Sequence, residues 1–140
     1  MSTIKLALKQ INERFGIPED VFDEYELEER GDIWILSREA AKFPIKRFSK
    51  RGLRLIRVFK DGYKLTTAGI QLFGKFATKN VAEISAGEVR EFLEGKDISV
   101  STPDLEVGQV IVKHNNDYLG SGLYQKGKIK NQLPRGRRWF

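Results

Sequence analysis

Charge in this 140-residue chain is sorted into four alternating blocks, and that order limits how its segments can be folded against one another. Residues 1–37 carry 4 basic and 9 acidic side chains, 38–79 carry 12 and 2, 80–117 carry 3 and 8, and 118–140 carry 6 and none. Blocks of like charge repel and stay solvated unless opposite charge meets them. Either the acidic blocks neutralise the basic ones internally, or the two basic blocks share a face and line a groove for a polyanion. The net charge of +6 favours a polyanionic partner without naming it.

The remaining composition removes whole classes of chemistry. With no cysteine and one histidine, His114, the chain cannot build disulfide frameworks, thiolate zinc sites, cysteine nucleophiles or multi-histidine metal sites. No metal and no cofactor is expected. No apolar run approaches the roughly 20 residues of a membrane helix, and the opening MSTIKLALKQINERFG lacks a signal-peptide cleavage site. A cytoplasmic protein without a membrane partner is expected. No phosphate-cradling G-x-x-x-x-G-K-[ST] or G-x-G-x-x-G follows a strand and opens a helix.

Hydrophobic spacing divides the chain into helices and strands. Ile4, Ala7, Leu8, Ile11 and Phe15 recur at the helical period, with Ser2 or Thr3 as N-cap and Gly16 then Pro18 as the stop. Pro18 to Phe22 reads as a second short helix with carboxylates in its first turn. Residues 25–29 and 33–36 read as strands around Arg30-Gly31-Asp32, and residues 53–59 and 63–66 as a hairpin around Lys60-Asp61-Gly62. Arg57 shares the parity of Leu53, Leu55 and Phe59, which asks for a bulge or for an arginine reaching past the sheet rim. Thr66 or Thr67 then caps a helix with Ile70, Phe73 and Phe76 on one side.

A second unit follows. It has a strand over residues 81–84, the capping box Ser85-x-x-Glu88, a helix burying Val89, Phe92 and Leu93, and Gly95 as its C′ residue. Strands from Gly108 through Val112 and from Tyr118 to Tyr124 flank the loop Asn115-Asn116-Asp117. The fold class is α+β: an N-terminal α/β half over residues 1–76 and a C-terminal β-barrel-like half over 77–140.

That second half, VAEISAGEVREFLEGKDISV followed by GQVIVKHNNDYLGSGLY, resembles the PUA domain, an RNA-binding β-pseudobarrel of RNA-modifying enzymes and ribosome-biogenesis factors. The likeness lies in a strand, a helix ending in Leu93-x-Gly95, a short strand, Val110-x-Val112 and the pair Gly120-x-Gly122. Glycine there lets strands bend where a barrel closes and lets a polynucleotide backbone approach. The stretch from Lys126 to Arg137 is similar to the ending of the PUA-like domain of Sun/Fmu-type RNA cytosine-5 methyltransferases, in which a lysine-asparagine pair precedes a proline-basic-glycine turn. Residues 1–76 resemble the pre-PUA modules of small ribosome-biogenesis proteins. Two positions depart from the family pattern: Gln109 stands where an acidic residue is common, and Pro103-Asp104 replaces a Pro-Gly.

The resemblance implies a non-enzymatic RNA-binding protein of rRNA or tRNA maturation and modification, with structured RNA as partner. An RNA methyltransferase or a ribosome-biogenesis protein is the implied protein partner. The rival reading is an adaptor for such an enzyme, with RNA contact incidental. A duplex-DNA reader is disfavoured, since no helix carries the dense basic face of a recognition helix.

Expected RNA-binding residues are Lys46, Arg47, Lys50, Arg51, Arg54 and Arg57, interleaved with Phe43, Phe48 and Phe59, and Lys128, Lys130, Asn131, Arg135, Arg137 and Arg138 near Trp139 and Phe140. Gly95 and Lys96, at the end of the capped helix, complete the set. Trp139 and Phe140 are expected to pack back onto the protein. No catalytic residue is expected: His114 has no partner at a motif spacing, and the clusters Glu24-Glu26-Glu28-Glu29 and Glu88-Glu91-Glu94 read as solvated faces. The purified chain should therefore show no methyltransferase, nuclease or pseudouridine-forming turnover. RNA turnover that disappears in His114→Ala while binding survives would show an enzyme instead.

Overall fold

The computed structural model of the protein describes residues 2–38, 52–101 and 104–138. Helix α1 (Thr3–Phe15) begins where the Ser2 hydroxyl accepts a bond from the Lys5 amide at 3.2 Å. It ends at Gly16, whose φ of 73° lies in the left-handed region and whose Cα sits where a Cβ would strike the Thr78 hydroxyl. Ala7, Ile11 and Phe15 form its buried stripe. The expected second helix is a single 3-10 turn, Glu19–Phe22.

An antiparallel meander follows, made of β1 (Tyr25–Arg30), β2 (Asp32–Ser37), β3 (Leu53–Phe59) and β4 (Gly62–Leu65). The bulge expected in β3 falls at Leu55: Ile33 pairs with Ile56 while Trp34 pairs with Arg54. One extra residue lets Leu55 and Ile56 be buried in succession and leaves Arg57 and Phe59 on the exposed side. Thr66 caps α2 (Thr67–Phe73) through the Gly69 amide at 3.0 Å. Ile70 and Phe73 are buried as expected, whereas Phe76 is 38% exposed, because the helix gives way to a 3-10 turn over Gly74–Phe76.

The second sheet contains β5 (Val81–Glu83), β6 (Ile98–Ser99), β7 (Gly108–His114), β8 (Asp117–Gln125) and β9 (Lys128–Asn131), in the order β5-β7-β8-β9-β6. Only the β5–β7 pair is parallel. Helix α3 (Ala86–Leu93) opens on the complete Ser85–Glu88 capping box and gives way to Gly95 at φ 93°. The mixed helix-and-strand class expected from the sequence is the one observed, and no described helix is long and apolar enough to cross a membrane.

The basic run after Gln125 holds β9, in which Lys128 and Lys130 are exposed while Ile129 is fully buried and Asn131 nearly so. One expectation needs correction here. Gly120 and Gly122 make no room for a polynucleotide. A Cβ on Gly122 would sit 2.2 Å from Ile129 Cγ2, and one on Gly120 would sit 3.0 Å from Leu133 Cδ1, so these glycines admit the protein's own core.

Two apolar clusters organise the interior. One gathers α1, the first sheet and α2, and the other gathers α3, Ile98, Ile129 and Leu133. Strand β7 serves both, since Val110 and Val112 face the second cluster and Ile111 between them enters the first.

Polar contacts lock the same junction. The Arg14 guanidinium donates to the carbonyls of Glu106 at 2.7 Å, Val107 at 3.1 Å and Gln109 at 2.9 Å. Asn80, at φ 56°, donates to the Arg14 carbonyl at 2.8 Å and accepts from the Glu106 amide at 2.9 Å. Burial lowers the Arg14 pKa, and the Glu106 carboxylate partly offsets this. Replacing Arg14 by Met keeps the stem and removes all three donors. It should cost about 2 kcal/mol in urea unfolding, the scale of charge-assisted hydrogen bonds lost at a partly buried site.

Candidate nucleic-acid interface

A groove of about 760 Å³ runs along the junction between the two sheets. One wall comes from the meander. Register places Arg57 directly opposite Lys64 on the β3–β4 pair, and both cations lie 5.3 Å from the centre of the Phe59 ring. Arg54 is more firmly held: its Nε lies 3.3 Å from an Asp32 carboxylate oxygen, and its guanidinium carbon lies 5.2 Å from the Trp34 ring. The other Asp32 oxygen accepts from the Val58 amide at 2.8 Å, so one carboxylate ties both strands and aims an arginine. Trp34 also carries Arg30 at 4.8 Å.

The opposite wall is Pro134 and Arg137, whose Nη1 donates to Gln71 Oε1 at 3.2 Å. The floor is polar. Gln109 Nε2 donates to the Leu65 carbonyl and to the Ser121 hydroxyl, both at 2.8 Å, while its Oε1 accepts from the Leu65 amide at 3.1 Å. Ser121 in turn donates to Gln132 Oε1 at 3.4 Å. The carboxamide at position 109 thus both gives and receives at Leu65, which a carboxylate there could not do.

Cross-strand register extends the basic surface. Gln109 pairs with Leu123 and Leu123 with Lys130, so Lys130, and Lys128 two residues earlier, stand on the floor's face of the sheet. The two basic blocks therefore meet at the groove, lined by Arg54, Arg57 and Lys64 from the first and Arg137 from the second, while Lys128 and Lys130 share the floor's face of the second sheet.

The other expected residues fall elsewhere. Lys46, Arg47, Lys50 and Arg51, with Phe43 and Phe48, lie outside the described residues, as do Trp139 and Phe140. Arg135 is exposed in a 3-10 turn (Arg135–Arg137). Asn131 is not available to a ligand: its Nδ2 donates to the carbonyls of Phe92 at 2.7 Å and Lys96 at 3.0 Å, and its Oδ1 accepts from the Leu133 amide at 2.8 Å. Gly95 backs onto the Arg138 side chain, and Arg138 Nε donates to the Leu133 carbonyl at 2.9 Å, so this pair serves packing. Lys96, away from the groove lining, lies 3.6 Å from a Glu94 carboxylate oxygen. His114 ties strand ends, with Nδ1 2.7 Å from the Ile84 carbonyl and a Glu83 oxygen at 3.7 Å. No group of three metal-ligating side chains comes together among the described residues.

Reasoning from sequence missed Lys64, Trp34 and the Gln109–Ser121–Gln132 floor. The hairpin turn, once read as the two residues Lys60 and Asp61, would have set Lys64 against Arg57. Nothing local marks the floor, because it arises where two sheets meet.

Residues 79–139 match the family model described as "Methyltransferase RsmF PUA domain". Curated relatives carry the name ribosomal RNA small subunit methyltransferase F. The protein from Aeromonas salmonicida is 32% identical over 133 residues, covering 91% of this chain and 26% of the relative. That from Shewanella baltica is 34% identical over 108 residues (74% and 22%), and that from Vibrio parahaemolyticus is 27% identical over 122 residues (79% and 26%). The chain thus spans about a quarter of the length of the relatives it matches.

The geometry separates the three terminal arginines. Arg138→Gln removes the bond to Leu133 and the stem packed on Gly95, and should cost about 1 to 2 kcal/mol in urea unfolding. Arg135→Gln and Arg137→Gln, at exposed positions, should stay within about 0.5 kcal/mol of the parent.

Proposed function

Residues 79–139 match the RsmF PUA domain family model, and from that match we propose that the chain is an RNA-binding protein acting in ribosomal RNA modification. The observation that carries the reading is the convergence of two basic blocks, far apart in sequence, on the groove between Arg57, Lys64 and Arg137. Arginine forks and lysine ammonium groups bind phosphate oxygens, and the salt-sensitive part of RNA affinity comes from such contacts.

On this reading residues 1–76 form a pre-PUA-like module that supplies one wall, and residues 77–140 form a PUA-like pseudobarrel that supplies the other. These residues hold RNA rather than transform it, and methyl transfer belongs to a separate enzyme or segment that the RNA-bound chain serves. The matched relatives are named as methyltransferases, and this chain aligns with about a quarter of their length.

Binding of a structured ribosomal RNA fragment should weaken with salt by about 0.7 to 0.9 log units per decade for each phosphate neutralised. The double variant Arg57→Gln, Lys64→Gln should lower that slope by about 1.4 to 1.8 with its unfolding midpoint kept. Filter binding at several salt concentrations reads both quantities. No RNA retention at low salt would overturn the assignment.

A further inference from the structure

We infer that the groove receives one unpaired nucleotide of the RNA, with its base on the Gln132 side of the floor and its phosphates between Arg57, Lys64 and Arg137; this rests on the RNA reading above. Three features carry the inference, and the first and third separate a nucleotide from a general anion. The first is size and shape. About 760 Å³ is the scale of a small-molecule pocket, and its polar floor is recessed between two sheets. A duplex keeps its bases stacked inside, so only an unpaired nucleotide can lower a base edge onto such a floor.

The second is an unbalanced pair of cations. Arg57 and Lys64 face each other across an antiparallel pair and crowd a single ring, and neither has an acidic partner among the described residues. Like charges set opposite one another destabilise a sheet, and a bound phosphate relieves that repulsion. What sets this pair apart is its placement on facing strands over one ring; Lys113 and Lys96, by contrast, each lie 3.6 Å from a carboxylate, of Glu83 and Glu94.

The third is the relay along the floor. Gln109 uses both amide protons and its oxygen within the protein, and Ser121 passes a hydrogen bond on to Gln132 Oε1. That chain orients the Gln132 carboxamide, whose Nε2 has no partner among the described residues. A carboxamide with free N–H groups at the bottom of a basic groove suits the carbonyl or ring-nitrogen acceptors of a base. Leu53 at 49% and Phe59 at 42% exposure supply apolar surface for the flat face of the same base.

Fluorescence anisotropy with the full chain tests the assignment using three probes: a random-sequence single-stranded RNA decamer, a blunt RNA duplex of equal length, and heparin. Single strand should bind more tightly than duplex. Gln132→Ala should weaken the single strand about fivefold, as expected for one lost hydrogen bond, and leave heparin unchanged. Phe59→Ala should weaken the single strand about tenfold, with Phe59→Leu as the substitute if the first variant unfolds. Arg57→Gln should weaken all three probes. Equal affinity for duplex and single strand with a silent Gln132→Ala would overturn the nucleotide site while leaving RNA binding intact. Binding of heparin but of neither RNA would overturn both readings in favour of an acidic protein partner.

Discussion

Three carbonyl oxygens held by one arginine organise this protein. Arg14 closes α1 and reaches the backbone just before β7, where the carbonyls of Glu106, Val107 and Gln109 converge on its fork. Asn80 completes the junction from the start of β5, using a left-handed backbone to place both ends of its amide. From this anchorage β7 leaves in a direction that puts Ile111 into the first core and the Gln109 side chain onto the backbone of Leu65. The relative setting of the two sheets, and with it the groove, follows from these contacts. A lysine could not replace the fork, because a compact ammonium on a flexible stem lacks the three separate nitrogens that reach these carbonyls.

Both arrangements that the charge pattern allowed are present, in different places. Several acidic side chains of the first and third blocks act as local ties. Asp32 joins Arg54 to Val58, Glu83 meets Lys113 and the Asn115 amide, and Glu106 bonds to Asn80. Arg57, Lys64 and Arg137, which have no acidic partner among the described residues, line the groove, and Lys128 and Lys130 stand exposed on β9. Internal neutralisation and a basic groove therefore coexist: some acids hold structural positions, and cations of both basic blocks line the groove.

Much of the local structure was legible in the residues because its causes are local. The Ser2 cap, the Gly16 stop, the Ser85–Glu88 box and the strain of parity at Arg57 each involve neighbours a few positions apart. The PUA resemblance over the second half was legible for a related reason, since glycine spacing and apolar alternation there record how strands pack. The site was only half legible. Arg54, Arg57 and Arg137 stood out by charge, but the same criterion drew in Arg138 and Lys96, which serve packing and a local ion pair. Asn131, taken from the family ending, proved to be the polar clamp that joins α3 to β9. Charge also masked the alternation Lys-Ile-Lys-Asn, which has the period of a strand.

The span of the Arg14 contacts has a consequence for the order in which the chain can be completed. The partners of this N-terminal side chain lie 92 to 95 residues away, and Asn80 lies 66 away. On a ribosome, α1 and the first sheet leave the exit tunnel well before the segment that fills their junction has been made. Until then the open side where Ile111 will sit is exposed, and the Arg14 guanidinium is held by water in place of the three carbonyls. Such late, distant closure gives slow folding and a window of vulnerability to non-native association. The opening half of this protein is thus assembled early and secured late, by residues from the final third of the sequence.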